Sequence, residues 1–168
     1  RRYTTLMTTA NSRSPDYPID PWFLERWSPR SFTGAPISEY DLMTILEAGR
    51  WAPSASNLQP WRFIYARRDT EHWPKLLGLL TESNQVWARN PSALMILVSK
   101  TTLLSRSAGR EVPSWSHSLD AGAAWCSLAL QAQRSGWAAH GMVGFNKERA
   151  VSELAVPDGY RVEAAIAI

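Results

Sequence analysis

A run of apolar residues at 93–98 sets the first limit on the fold. Ala, Leu, Met, Ile, Leu and Val follow one another there with no polar residue between them, and Ser99 closes the run. A strand with one face in water alternates apolar and polar residues, whereas a continuous run indicates a strand buried on both faces. We therefore predict a central strand at 93–99.

The remaining secondary structure is predicted from capping residues, apolar periodicity and chain breakers. The longest predicted helix, at 118–135, carries a wide stripe of Ala, Leu and Trp residues. Core packing accounts for this stripe, and a dimer interface is the alternative. Because Cys126 lies in the same pattern, we expect it to be packed in the core. The other predicted elements are a helix at 22–26 with Asp20 as its cap, a helix between Ser38 and Pro53, a strand at 61–66, a helix of about ten residues from Thr70, a loop or irregular helix at 100–116, a strand at 137–140, a helix from Asn146 and a strand at 161–168.

Length and composition indicate one globular domain. The chain has 168 residues, of which 45% are hydrophobic and 20% charged, as is ordinary for a globular protein. We assign residues 1–17 to a polar N-terminal arm and residues 18–168 to a single domain. The net charge of +3 is too small and too dispersed to predict binding to nucleic acid. No apolar run approaches the roughly 20 residues that span a bilayer, and residues 1–15 do not resemble a signal peptide. We therefore expect a cytoplasmic protein with no membrane partner.

The first candidate binding motif lies at 26–30. Pro29 has a fixed φ and favours an extended conformation at Ser28. Side chains alternate in an extended segment, so Arg26, Ser28 and Arg30 are expected on one side and Trp27 on the other. Two guanidinium groups and a hydroxyl on one face predict a clamp for a phosphorylated or planar anion. A solvated basic loop is the alternative interpretation.

A second candidate motif, at 53–61, is rich in hydroxyl and amide side chains. Pro60 favours an extended Gln59, which would place Asn57 and Gln59 on one face. Together with Ser54 and Ser56 they offer both donors and acceptors, as a ligand edge that alternates C=O and N–H groups requires. A polar turn that closes the preceding helix is the alternative.

The third motif is Gly141-Met142-Val143-Gly144, between a predicted strand and a predicted helix. Two glycines allow the backbone to approach a flat ligand closely. Backbone N–H groups in such a loop can stabilise charge on a bound ring. An ordinary strand-to-helix turn is the alternative.

Separate predictions concern the three histidines, Trp115 and Asp120. His72, His117 and His140 lack the spacing of paired metal ligands, so we expect no metal site. Trp115 lies in a Pro-Ser-Trp-Ser loop, where we expect it to roof a ligand pocket. We expect Asp120 to cap the helix that follows, and His117 to lie at the mouth of the pocket.

Taken together, the three motifs resemble the nitroreductase superfamily of FMN-dependent oxidoreductases. The segments that carry the resemblance are R-W-S-P-R-S-F, A-P-S-A-S-N-L-Q-P-W-R-F and H-G-M-V-G-F-N, and the resemblance extends over residues 22–168. It implies an α+β fold with a central, mostly antiparallel sheet flanked by helices. It also implies an obligate homodimer with one FMN in each of two sites at the subunit interface.

The resemblance assigns a role to each motif. It places the first motif at the FMN phosphate and ribityl chain, the second at the FMN of the opposite subunit, and the third at flavin O4 and N5. Gln85 falls near a position whose amide meets the flavin ring. The implied cofactor-binding residues are Arg26, Trp27, Ser28, Arg30, Pro53, Ser54, Ala55, Asn57, Gln85, Val143 and Gly144.

The implied reaction passes hydride from NADH or NADPH to a small organic acceptor, such as a nitroaromatic or a quinone, by a ping-pong mechanism. No catalytic side chain is expected, because N5 of the flavin carries the hydride. The alternatives are an ene-reductase, dehalogenase or flavin-fragmenting enzyme of the same fold, and a non-catalytic flavin-binding module. Members of the family continue beyond the position of Ile168 with a basic residue and a tail that wraps the partner. We therefore expect a C-terminal segment to be missing from this chain.

Overall fold

The centre of the fold is a four-stranded antiparallel sheet. A computed structural model describes residues 12–168, and residues 1–11 of the predicted arm lie outside the described residues. Numbered in chain order, the strands of this sheet are β1 (Trp61–Arg67), β2 (Ala93–Lys100), β5 (His140–Met142) and β6 (Tyr160–Ala167), arranged as β1-β2-β6-β5. Two further strands, β3 (Thr102–Ser105) and β4 (Arg110–Pro113), form a separate hairpin. The predicted α+β class and antiparallel sheet are confirmed.

Helices cover both faces of the sheet, which is why residues 93–98 of β2 are all apolar. On one face, α2 (Glu39–Arg50) and α5 (His117–Arg134) pack over Met95 and Leu97. On the other, α3 (Trp73–Leu79), α4 (Glu82–Ala88) and α6 (Lys147–Glu153) pack over Leu94, Ile96 and Val98. Successive side chains of a strand point to opposite faces, so each half of the apolar run belongs to a different core.

Three of the predicted helix starts are confirmed by hydrogen bonds. The Asp20 carboxylate accepts the N–H of Trp22 at 3.1 Å at the start of α1 (Trp22–Glu25). Ser38 Oγ accepts the N–H of Asp41 at 3.0 Å, and Asn146 Oδ1 accepts that of Arg149 at 2.8 Å. Side-chain oxygens at these positions satisfy N–H groups that have no partner inside the helix.

Three secondary-structure predictions are wrong. Residues 100–116 contain the β3–β4 hairpin rather than a loop or helix, because the two strands pair with each other at the surface and lack the alternation of a buried strand. The helix of about ten residues predicted from Thr70 begins three residues late, as α3 at Trp73, and ends at Leu79. Helix α4, which follows the pairing of Leu80 with Phe145, was not predicted. The strand predicted at 137–140 begins at His140, because the N–H of Trp137 still bonds the carbonyl of Ala132 at the end of α5.

The core interpretation of the α5 stripe is correct, but the prediction for Cys126 is wrong. Ala121, Ala124 and Leu128 are buried against the sheet, whereas Cys126 is exposed. Cys126 lies on the side of α5 that faces away from this core. Within the described residues, no helix combines the length and the apolar character needed to cross a membrane.

Candidate functional site

A cavity of about 460 Å³ brings together two of the three sequence motifs. Arg26 and Ser28 of the first motif lie on one side, and Gly141, Met142 and Val143 of the third lie at the end of β5. Helix α5 and strand β6 complete the wall with Trp125, Cys126, Ala129 and Ala164. This volume lies within the usual range for small-molecule sites, about 300–1,000 Å³.

The clamp motif is partly assembled as predicted. Arg26 Nη1 lies 3.4 Å from Ser28 Oγ, so these two side chains share one side and both line the cavity. Arg30 is exposed and does not line the cavity, and Trp27 is also exposed outside it. In the part of the chain that the structure describes, Arg26 is the one charged residue in the cavity wall, so the site favours an anion.

The position of the clamp is fixed by His140, which lies 111 residues away in the chain. The carbonyl of Pro29 is 2.7 Å from His140 Nδ1. A carbonyl can only accept, so His140 carries its proton on Nδ1 and donates to Pro29. The ring of Trp87 packs on His140 with a centroid distance of 4.6 Å. The hydrogen bond between His140 and Pro29 ties the clamp to the first residue of β5.

The third motif presents two free backbone donors beside the cavity. Among the described residues, the N–H groups of Val143 and Gly144 have no hydrogen-bond partner. The carbonyl of Gly144 accepts instead from the N–H of Thr81 (3.0 Å), from Thr81 Oγ1 (3.1 Å) and from Asn84 Nδ2 (2.9 Å). Three donors on one carbonyl fix the loop, so its unpartnered N–H groups are held in a defined position.

Close packing explains both glycines of this motif. A Cβ on Gly141 would lie 3.0 Å from the indole ring of Trp125, and a Cβ on Gly144 would lie 2.6 Å from Asn84 Nδ2. Neither glycine has a positive φ. Both glycines thus allow side chains of α5 and α4 to approach closely, whereas the predicted approach to a flat ligand stays a prediction.

The second motif forms a tight turn rather than the extended segment predicted. Residues Ala55–Asn57 make a 3₁₀ turn, and Ser56, Asn57 and Gln59 have φ of 50°, 55° and 49°. The prediction fails because local hydrogen bonds favour a left-handed backbone that Asn and similar polar residues tolerate. Gln59 Nε2 still donates to Asn57 Oδ1 at 2.9 Å, so these two amides do share a side.

The turn does not line the cavity of its own chain. Pro53, Ala55 and Asn57 are exposed, Ser54 is half-buried, and none of them lines the cavity that Arg26 and Val143 share. The N–H of Ala55 is bound by the carboxylate of Asp120 at 3.2 Å. The turn is thus fixed to the start of α5.

Three further sequence predictions are not met. Trp115 is 96% exposed and does not roof the cavity. His117 does not line its mouth, because Nδ1 lies 2.8 Å from Ser99 Oγ in a network with Glu163. Asp120 is the fourth residue of α5 rather than its cap.

Gln85 lies on α4 and does not reach the cavity within this chain. Its side-chain amide donates to the carbonyl of Leu80 at 2.7 Å. That bond holds the chain where it leaves α3, which is a structural role.

The cavity wall contributed by α5 is what the sequence analysis missed. Trp125, Cys126 and Ala129 line the cavity, and Trp125 and Ala129 belong at the same time to the core between α5 and the sheet. The signal available was the presence of small residues on both flanks of this helix, which allows a neighbouring group to approach. No pattern in the sequence indicates that the neighbouring group is the glycine motif of β5.

An exposed apolar surface lies along α2 and the residue that follows it. Tyr40 and Trp51 are 81% and 75% exposed and, with Met43 and Gln131 of α5, line a shallow groove. Glu47 lies in this groove, where hydrogen bonds from Arg50 and Trp51 lower the pKa of its carboxyl to about 2.

Comparison with known proteins identifies the fold and its relatives. A sequence model of the Nitroreductase family matches residues 24–168. A solved structure described as an oxidoreductase containing FMN is 53% identical, with a TM-score of 0.91 over 96% of this chain and 81% of that chain. A nitroreductase structure from Desulfovibrio desulfuricans, described as a complex with FMN, is 28% identical, with a TM-score of 0.71 over 87% of this chain and 81% of its own.

Curated relatives match over shorter stretches. A Streptococcus pyogenes protein, whose name provisionally calls it an NAD(P)H nitroreductase, is 32% identical over 49% of this chain. A Streptomyces coelicolor protein, provisionally named an NADH dehydrogenase or NAD(P)H nitroreductase, is 36% identical over 40% of this chain. The aligned stretches span only 40% and 33% of those two relatives.

Proposed function

The chain belongs to the nitroreductase family, and we propose that it is an FMN-dependent oxidoreductase that passes hydride from NADH or NADPH to a small organic acceptor. The observation that carries this proposal is the pair of unpartnered N–H groups at Val143 and Gly144 beside a cavity whose one charged wall residue, among those described, is Arg26. Nitroaromatics and quinones are the acceptors we propose, turned over in a ping-pong reaction.

The donor set of the cavity fits FMN. Arg26 and Ser28 offer a guanidinium and a hydroxyl for a terminal phosphate, and the cavity wall holds no carboxylate among the described residues. The N–H groups of Val143 and Gly144 fit the O4 and N5 edge of the ring. FMN, when bound, supplies the hydride chemistry at N5.

The residues of the chain itself would bind, orient and stabilise. The two fixed N–H groups would stabilise negative charge on the reduced ring, since donors held in place need no reorganisation during the reaction. Trp125 and Met142 form an apolar wall that would keep water from one side of the ring. Arg26 would anchor the phosphate, which fixes the ring in one orientation.

We further propose that the working form is a homodimer in which each cofactor contacts both subunits. The turn at 54–57 lies outside the cavity of its own chain, and it is fixed to the core by Asp120. Leu119 on α5 and Trp51, just after α2, are about three-quarters exposed, and apolar surface of this kind favours association. A second copy would cover these side chains and bring its own turn to the open side of the cavity.

Reduction and reoxidation of a bound chromophore test the proposal. The purified protein is loaded with FMN, separated from excess, and mixed with NADPH or NADH without oxygen. We expect the visible absorbance of the flavin to bleach and a quinone or nitroaromatic to restore it. Bound FMN that neither nucleotide bleaches would refute the oxidoreductase function in favour of a binding module. A flavin that bleaches but is restored only by an activated alkene or a halogenated aromatic would refute the proposed acceptors.

A further inference from the structure

The turn at 54–59 is held in a conformation that its residues do not favour by themselves. Ser56, Asn57 and Gln59 all have φ near +50°, a region that non-glycine residues occupy uncommonly. Such conformations persist only where surrounding contacts impose them, and they concentrate at ligand-binding segments. Contacts around the turn at 54–59 must therefore impose its left-handed backbone.

Most of these contacts lie within the turn. Ser54 Oγ accepts the N–H of Gln59 at 3.0 Å, and the carbonyl of Ser54 accepts the N–H of Asn57 at 3.0 Å. Arg62 at the start of β1 donates to the carbonyl of Gln59 at 3.1 Å. These bonds shape the turn but do not connect it to α5.

The connection to α5 is made by a buried carboxylate. Asp120 is 5% exposed, its Oδ1 accepts the N–H of Ala55 at 3.2 Å, and its Oδ2 accepts from Ser116 Oγ at 2.9 Å. Burying a carboxylate is unfavourable unless hydrogen bonds compensate. An alanine there would pack as Ala121 and Ala124 do, so core packing does not require an acid at this position.

The same helix carries part of the cavity wall. Cys126 and Ala129 line the cavity six and nine residues beyond Asp120, which is about 9 and 14 Å along the axis at 1.5 Å per residue. Helix α5 thus fixes the turn at one end and the cavity wall in its middle. We propose that Asp120 is a positioning residue. By its hydrogen bond to Ala55, it holds the turn at 54–59 in the geometry needed to contact the FMN of a second copy of this chain. This inference rests on the proposed function.

Two variants remove the contact from opposite sides. Asp120→Ala removes the acceptor. Ala55→Pro removes the donor, and it suits the backbone because Ser54 is already extended (φ −147°, ψ 154°) and Ala55 is the first residue of a 3₁₀ turn.

Two further variants keep the contact. Asp120→Asn keeps an oxygen acceptor for the N–H of Ala55, while its amide can donate to Ser116 Oγ. Ser116→Ala is the matched control, since it removes the other hydrogen bond of Asp120 and leaves the turn attached.

Two measurements are made on each variant. Hydrogen exchange of the peptide spanning residues 52–60 in the cofactor-free protein reports the turn itself, and fluorescence titration of the same protein with FMN reports the affinity for FMN. We expect Asp120→Ala and Ala55→Pro to speed exchange of this peptide about tenfold and to weaken FMN binding about tenfold, the loss of one buried hydrogen bond. Asp120→Asn and Ser116→Ala should stay within about threefold of the parent in both measurements.

Each departure from this pattern has a defined meaning. Unchanged exchange in Ala55→Pro would overturn the role of the contact, and this holds even if Asp120→Ala does not fold. Faster exchange with unchanged FMN affinity would overturn the positioning role. An Asp120→Asn variant as weak as Asp120→Ala would overturn the hydrogen-bonding role of Asp120, since its charge rather than its acceptor oxygen would then hold the turn. If the parent does not bind FMN, the proposed function fails and the positioning role falls with it, whereas the exchange data still decide whether Asp120 holds the turn.

Discussion

Replacing Gly144 by alanine should distort the loop that presents the backbone donors. The new Cβ would lie 2.6 Å from Asn84 Nδ2 and 3.2 Å from Thr81 Oγ1, so the Asn84 side chain must move. That side chain donates to the carbonyl of Gly144 at 2.9 Å and accepts from Trp87 Nε1 at 3.3 Å. The φ of Gly144 is not positive, so backbone conformation does not add to the effect.

The magnitude follows from the two hydrogen bonds of Asn84. A typical intramolecular hydrogen bond contributes about 0.5–1.5 kcal/mol net, so Gly144→Ala should lower the free energy of unfolding by about 1–3 kcal/mol. For a chain of this size, that corresponds to a fall in Tm of about 2–12 °C. Because the loop shifts, we also expect FMN binding to weaken. Gly144→Val should show both effects more strongly.

A double-mutant cycle in urea tests the cause. In an Asn84→Ala background the obstructing amide is absent, so Gly144→Ala should cost less than about 0.5 kcal/mol. Protein concentration is held constant throughout, since association contributes to stability. Gly78→Ala is the matched control, because a Cβ there meets no heavy atom within 4 Å, and it should stabilise helix α3 by up to about 1 kcal/mol. Equal costs of Gly144→Ala in both backgrounds would refute the proposed clash.

Three further predictions concern charge and assembly. Arg26→Ala should weaken FMN binding by about 1.5–3 kcal/mol, whereas Arg30→Ala should have little effect because Arg30 lies outside the cavity; fluorescence titration that shows equal losses would contradict this. The Glu47 carboxyl should titrate near pH 2 in an NMR experiment, so its contribution to stability is complete above its ordinary pKa of 4.5 and is lost as the pH falls through 2; Arg50→Met should raise that pKa. Sedimentation should show a dimer, and a monomer that holds FMN tightly at micromolar concentration would refute the shared site.

Local chemistry in the sequence was enough to predict much of the fold. The apolar run of β2 predicted a doubly covered strand, because each face of that strand has its own core. Ser38 and Asn146 predicted helix starts, because capping depends only on residues within one turn. The β3–β4 hairpin was not predictable in this way, since its strands pair only with each other and Leu104 remains exposed.

The relative placement of the motifs depends on contacts that local patterns do not encode. Arg26 and Val143 share a cavity because His140, at the start of β5, donates to the carbonyl of Pro29 across 111 residues of chain. The turn at 54–57 is placed by Asp120, across 65 residues. The His140 side chain binds a backbone carbonyl of the first motif, and the Asp120 side chain binds a backbone N–H of the second. From the sequence, His140 was considered only as a metal ligand, and Asp120 was predicted only to cap a helix. A motif therefore indicates which groups can bind a ligand, whereas the polar residues between the motifs determine how those groups are arranged around it.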